Sequence, residues 1–425
     1  METILPNPLY RPLNLLLIFA FTGIFGILNA NDLQQFKEYK GEVVDIRTGD
    51  EIASAYIVLE GTNISTITNS DGEFSLKIPI NITEGTITTS HLGFQSKTLP
   101  LSFFQNEGTV IQLQETAQAL TEITVYDGGD AINLVRKMFE KRGDNYIDDH
   151  ALMTAFYRET IKKRRRNVSL SEAVVKIHKY PVGSNQNDDI ALYKARKSTD
   201  YERLDTLALK LRGGPYNALY IDVIKYPQFL MQPDQLSEYS FSFDEPIKMD
   251  NKNLYVVNFE EENKNNPWYF GKLYIDSKTH GLVKATYKLN VDDRTKASQM
   301  FVKKKPRGAK VYPIDVAYQI DYREKDGKWF YGYGNANLEF VVNWDNKLFN
   351  SRYTINGEMA VTDWDSYSRE EFKAQNKFIS PSIVMVDDVS GFADVDFWGD
   401  NNIIEPEKSI QNAIDKIQRQ LNRKD

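Results

Sequence analysis

The side chains able to do chemistry in this 425-residue chain are few and scattered. A zinc peptidase site needs His-x-x-Glu plus a distant His, so that three ligands leave one position open for water. The histidines are His91, His150, His178 and His280. None begins that pattern and none forms His-Glu-x-x-His; each reads as an ordinary turn or surface residue. Cysteine is absent, which excludes disulfides, thiolate metal sites, a cysteine nucleophile and a lipidated N-terminal cysteine. Asn69-Ser70-Asp71-Gly72 holds part of a calcium loop without the remaining oxygen ligands or the terminal Glu, so it reads as a turn with Asp71 and Gly72 in a structural role. No Gly-x-Ser-x-Gly occurs, and Gly213-Gly214-Pro215 lacks the Lys-Ser/Thr of a phosphate-cradling loop. The acidic clusters Glu260-Glu261-Glu262 and Asp387-Asp388 sit in polar, loop-like context. The expectation is a non-enzyme with no cofactor and no metal.

Binding residues are easier to nominate. Tyr216, Tyr220, Tyr226 and Phe229, with Leu230, surround the Gly-Gly-Pro turn and form a candidate groove for an apolar ligand or a peptide. Burial in the core is the competing reading of the same aromatics. The basic runs Lys162 to Arg166 and Lys303-Lys304-Lys305-Pro306-Arg307 read as solvated loop tips, with contact to anionic lipid or lipopolysaccharide as the alternative. A net charge of −7 argues against nucleic acid as a partner.

The elements that must position these residues are mostly strands. Aromatics make up 12% of the chain, with 24 Tyr and 23 Phe, which favours sheet. Residues Leu13 to Leu28 form an apolar run that reads as the core of a signal peptide over residues 1–30, with cleavage near Ala30; a retained anchor is the alternative. From Tyr39 to about Val125, short strands are separated by Gly49, Gly72, Gly85, Gly93 and Gly108, the pattern of a seven-stranded β-sandwich over residues 39–125. Asp71-Gly72 is read there as the turn of a β-hairpin, followed by Phe74, Leu76 and Ile78 on one face. Residues 126–151 read as a linker and a helix, Ala131 to Arg142, capped by Asp130 and ended by Gly143. Residues 152–361 read as one large curved antiparallel sheet, with strands at Phe156–Lys163, Val168–Ile177, Leu254–Glu260, Phe270–Asp276, Leu282–Leu289, Ile314–Tyr322 and Trp329–Tyr333, the last two paired around Asp326-Gly327. If Arg164-Arg165-Arg166 is a three-residue loop, Lys163 faces Asn167 and Arg158 stands opposite Glu172, a structural ion pair. Residues 362–425 read as an irregular segment and an amphipathic helix, Glu405 to Arg423, that docks through Ile410, Ala413, Ile414, Ile417 and Leu421.

The order Gly41-x-Val43, Thr48-Gly49, Ala55-x-Ile57-x-Leu59-x-Gly61-Thr62, Thr68-x-x-Asp71-Gly72-x-Phe74-x-Leu76 and Leu92-Gly93-Phe94 resembles the carboxypeptidase-like regulatory domain. That family is a transthyretin-like sandwich found at the N-terminus of envelope proteins of Bacteroidota, and the resemblance implies a non-catalytic accessory module. Ala155-Phe156-Tyr157-Arg158-Glu159, Leu211-Arg212-Gly213-Gly214-Pro215-Tyr216 and Asp222-x-x-Lys225 resemble the uncharacterised bodies that follow it in those proteins. On fold alone, the larger region resembles the open half-barrel of lipoprotein carriers. These readings converge on a mainly β protein of the cell envelope, in the periplasm or at the outer membrane, that binds another envelope protein or an apolar or peptide ligand, with peripheral membrane contact allowed. A carrier or sensor of lipid or lipoprotein is the first alternative, and a hydrolase with an unfamiliar site the second.

Overall fold

The computed structural model describes residues 35–116, 126, 128–164, 166–199, 213–249, 252–301, 308–346, 348–366, 369–375, 377–385, 397–412 and 414. The expected signal peptide, the strand at Glu122–Val125, the run Lys303–Arg307, Asp387-Asp388 and most of the last helix lie outside these residues.

The N-terminal sandwich has eight strands among the described residues, one more than expected: β1 (Phe36–Asp45), β2 (Tyr56–Leu59), β3 (Ser65–Ile67), β4 (Glu73–Pro79), β5 (Thr86–Ser90), β6 (Phe94–Gln95), β7 (Lys97–Pro100) and β8 (Thr109–Glu115). They form two four-stranded sheets, ordered β4-β1-β8-β6 and β3-β2-β5-β7. Val43, Ile57, Leu59, Phe74, Leu76, Ile87 and Ile111 fill the space between them. The expected hairpin at Asp71-Gly72 is not one, because β3 and β4 lie in different sheets. A tight two-residue hairpin of either favoured type needs positive φ at its first central residue, here Asp71. Only Gly72 has it, at +71°, while Asn69 Oδ1 accepts from the backbone N–H of Asp71 and of Glu73 at 2.9 Å each. The turn therefore carries the chain across the sandwich. Asp326-Gly327 is the contrasting case: both residues have positive φ, 52° and 76°, and Lys325 pairs directly with Lys328.

After the sandwich come α1 (Ala131–Glu140) and α2 (Arg142–Asn145). Ala131, Leu134, Val135 and Met138 are buried along one stripe, as the spacing requires. Asp130 stands at the N-cap position without a side-chain cap bond, and Gly143 lies inside α2 instead of ending α1. One antiparallel sheet of ten strands follows: β9 (Ala151–Lys163), β10 (Arg166–Lys179), β11 (Asp189–Thr199), β12 (Tyr239–Met249), β13 (Lys252–Glu261), β14 (Tyr269–Asp276), β15 (Leu282–Leu289), β16 (Ala309–Lys325), β17 (Lys328–Trp344) and β18 (Ser351–Ser366). Their order is β11-β10-β9-β18-β17-β16-β15-β14-β13-β12, so β18 returns to pair with β9 and the sheet does not close. Shorter helices are α3 (Pro215–Leu219), α4 (Arg294–Phe301) and α5 (Arg369–Gln375).

The inner face of this sheet, presenting Ala155, Tyr157, Val257, Leu273 and Ala285, is covered by α1 and by residues 215–236, through Leu134, Met138, Leu219 and Ile224. The sandwich packs on the outer face, where Ile67 meets Phe156, Val174, Tyr333 and Ala360. The backbone approach that fixes the sandwich is tightest at Gly41, which pairs with Thr109 in a parallel register. A Cβ on Gly41 would stand 1.9 Å from the Thr109 carbonyl oxygen, a separation no side chain tolerates. Gly41→Ala is therefore expected to destabilise the sandwich by about 1–3 kcal/mol, read by chemical denaturation; unchanged stability would show that β1 and β8 separate freely.

Candidate binding site

The register of the ten strands places one polar side chain per strand in a single row across the outer face. Direct partners in antiparallel strands share a face. Starting at β11, the first half of the row is Arg196, Glu172, Arg158 and Glu358. It continues with Asn335, Gln319, Thr286, Lys272, Asn258 and Ser242.

The first half is closed over. Arg158, 1% exposed, donates from Nε to Glu172 at 2.8 Å and from Nη1 to Glu358 at 3.4 Å, and Arg196 donates to the other Glu172 oxygen at 2.7 Å. Residues 398–405 run over the top. Trp398 packs edge-on against Phe156, and the Ile404 and Glu405 carbonyls accept from Arg158 at 2.6 and 3.4 Å. The same segment grips the sandwich: Asn402 bonds both to the N–H and to the carbonyl of Lys77, and Thr66 Oγ1 donates to the Ile403 carbonyl. Burial pushes the Glu172 carboxyl up, but the Arg158 and Arg196 guanidiniums more than offset this and hold it below the ordinary range. The pairing of Arg158 with Glu172 is as expected, by a different route. Lys163 faces Arg166, and a bulge between Asn167 and Ser169 restores the register.

The second half of the row is open. Its six side chains line a groove of about 830 Å³ that crosses β12 to β17, with Phe270 and Tyr274 beside them. Lys272 meets Asp244 at 2.7 Å, and Asn335 donates to Asn356 at 2.9 Å. The groove thus offers amides, two hydroxyls and a surface ion pair on a floor of strand backbone.

The aromatic residues singled out in the sequence separate into two layers. Tyr216 and Tyr226 are buried, and their hydroxyls accept from the backbone N–H groups of Ile190 and Asp188. Tyr220 and Phe229 stack outside them at 5.1 Å, with Phe229 exposed. His178 is no surface residue: it is fully buried in β10, with Nε2 3.1 Å from His150 Nδ1 and its ring stacked on Phe372. Among the described residues, no three side chains of His, Asp or Glu gather to hold a metal ion.

Two buried ionisable groups deserve a chemical test. Lys179 lies between Asp188 and Asp222 at 2.9 and 3.1 Å, and Tyr322 donates to Asp222 at 2.9 Å. Burial draws the Lys179 ammonium down, but the two carboxylates hold it above its usual value, so it stays protonated and is no nucleophile. The void beside it, about 30 Å³, has room for little more than water. Glu159, on the inner face, accepts from Tyr157 at 3.0 Å; burial pushes its carboxyl up to about 7. Neither group was visible in the sequence, because each depends on contacts between distant segments.

Residues 39–125 match the family model of the CarboxypepD_reg-like domain. No curated protein matches the chain. Among solved structures, it is similar to a proposed outer membrane lipoprotein-sorting protein domain from Vibrio parahaemolyticus, at 9% identity over 57% of this chain and 96% of that one, with a TM-score of 0.25. It is also similar to the LolA superfamily protein NE2245 from Nitrosomonas europaea, at 8% identity, 55% and 94% coverage and a TM-score of 0.19. The Pseudomonas aeruginosa MucA/MucB complex gives 12% identity, 56% and 100% coverage and a TM-score of 0.19.

Two measurements check this geometry. Arg158→Ala leaves Glu172 and Glu358 buried without their shared partner, and is expected to lose about 3–5 kcal/mol in chemical denaturation. A loss below about 1 kcal/mol would mean that water reaches the row. Glu159 has its folded pKa raised from 4.5 to about 7, so its contribution is complete below pH 4.5 and lost as pH rises to about 7. Glu159→Gln should match the parent protein at the acid end of that window and exceed it, by up to about 3 kcal/mol, at the alkaline end; parallel stability curves for the two would disprove this.

Proposed function

We propose that this chain, which carries a CarboxypepD_reg-like domain, is a non-enzymatic binding protein of the cell envelope whose open outer-face groove holds an extended polypeptide segment of a partner. One observation carries the reading. A single polar row crosses the sheet, and in its closed half residues 398–405 of the chain itself already lie on it, held by the Ile404 and Glu405 backbone carbonyls on Arg158. The open half continues that row with Asn258, Lys272, Gln319 and Asn335, and no described residue covers it. A lipid carrier would have to use this same groove, or an inner face from which α1 and residues 215–236 withdraw.

The experiment places a photo-crosslinking amino acid at Thr286 in cells. The cross-linked partner is identified, and a synthetic peptide spanning its cross-linked segment is titrated into the purified protein. Lys272→Ala and Gln319→Ala are expected to weaken that peptide about tenfold and about fivefold, the losses of a charged and a neutral hydrogen bond. Equal binding by both variants would place the partner elsewhere. Turnover of peptide, ester or glycan substrates by the purified protein would refute the non-enzymatic reading.

A further inference from the structure

The hairpin loop between β17 and β18 holds the two most exposed large apolar side chains among the described residues, Leu348 at 97% and Phe349 at 77%. They are neighbours in sequence, at the tip of a hairpin whose strands are 17 and 16 residues long. A lone exposed leucine needs no explanation, but two adjacent large side chains held in water at a protruding tip mark a surface that meets something apolar.

What surrounds them is basic. The turn between β9 and β10 lies alongside, tied by the Arg164 N–H to the Arg352 carbonyl at 2.9 Å. Lys163 pairs in register with Tyr353 and with Arg166. Arg164 and Arg166 are exposed. Lys310 stands opposite Asn343 at the start of β16 and is exposed too. Among the described residues the acids nearest the tip are Asp345 and Glu339, the latter 3.8 Å from Arg352; level with Glu339, Asp315 is paired with Lys288 and Glu407 with Lys162. Among the described residues the cations at this tip, Lys163, Arg164, Arg166 and Lys310, outnumber its acids, in a chain whose net charge is −7.

We propose that this end of the ten-stranded sheet docks on an anionic phospholipid surface, with Leu348 and Phe349 entering the acyl boundary and Lys163, Arg164, Arg166, Lys310 and Arg352 meeting headgroup phosphates. A guanidinium matches a phosphate bidentately, and the field of an anionic leaflet draws the basic rim toward it. Insertion of two apolar side chains then adds a term that salt does not screen. Each element alone is weak; both at one tip give the two signals that stable peripheral attachment needs. This surface lies apart from the groove over β12 to β17, so the inference stands independently of the proposed partner.

The test is cosedimentation of the protein, purified as the cell processes it, with vesicles of phosphatidylcholine alone and of phosphatidylcholine mixed with phosphatidylglycerol. Binding is expected to the mixed vesicles only and to weaken with added salt. Leu348→Ser/Phe349→Ser should bind about tenfold or more weakly with the salt dependence kept. Arg164→Gln and Arg166→Gln should each bind about fivefold more weakly with a flatter salt dependence. All these side chains are exposed, so circular dichroism and thermal unfolding should match the parent protein. Equal binding to both vesicle types overturns the proposal, as does undiminished binding by the serine variant. A concentration-dependent dimer that the serine variant abolishes, without any change in vesicle binding, assigns the tip to a second copy of the chain and overturns it too.

Discussion

A guanidinium taken out of water has to be met on every edge, and Arg158 is met by three separate parts of the chain. Glu172 reaches it from the next strand, Glu358 from a strand 200 positions later, and two carbonyls from residues 404 and 405 close the remaining side. Removing any one partner leaves charge or donors stranded where water cannot compensate. The register of β9 against both neighbours, the return of β18 and the course of residues 398–405 are therefore satisfied together or not at all. The sandwich is bound into the same condition, since those residues also supply hydrogen bonds to Lys77, Thr66 and Asn69.

That condition divides the outer face. One polar row crosses all ten strands, yet its halves differ in what they ask of their surroundings. The closed half alternates charge, Arg196, Glu172, Arg158, Glu358, and needs its cover because unpaired ions inside are costly. The open half is amides, a threonine, a serine and a lysine already paired with Asp244. Water satisfies those groups as well as a partner does, so the fold is complete without one. A segment laid there exchanges water hydrogen bonds for its own, a balance that favours reversible holding.

Much of this was legible from local chemistry, and the failures have physical causes. Asp326-Gly327 reads correctly as a tight hairpin because both its residues take positive φ; Asp71-Gly72 has the same letters and only one such residue, and the chain crosses between sheets there. Burial of Ala131, Leu134, Val135 and Met138 follows from spacing alone. Counting from the loop gives the pair Arg158–Glu172, although a bulge stands in for the third loop residue. Glu358, Arg196 and the cover of residues 398–405 were out of reach, because no short-range signal says that β18 returns to β9. Nor does spacing tell a buried tyrosine from a groove-lining one: Tyr216 and Tyr226 carry the same letter as Tyr220, and only the turn beneath them sorts inside from outside.

The distribution of reactive groups bears on what such a protein does. A catalyst needs a group whose protonation or nucleophilicity is poised, together with room for a substrate beside it. For the two buried groups Lys179 and Glu159 these requirements fall in different places. Lys179 is held as an ammonium by two carboxylates, next to a void of about 30 Å³. Glu159, lifted to about 7, is 2% exposed and meets a tyrosine hydroxyl. The groove of about 830 Å³ is floored by strand backbone and lined by amides, hydroxyls, aromatic rings and ion-paired lysine. Lys179 and Glu159 have no such space beside them, and the groove's own shifted groups, Lys272 and Glu260, are held in surface ion pairs with Asp244 and Lys264.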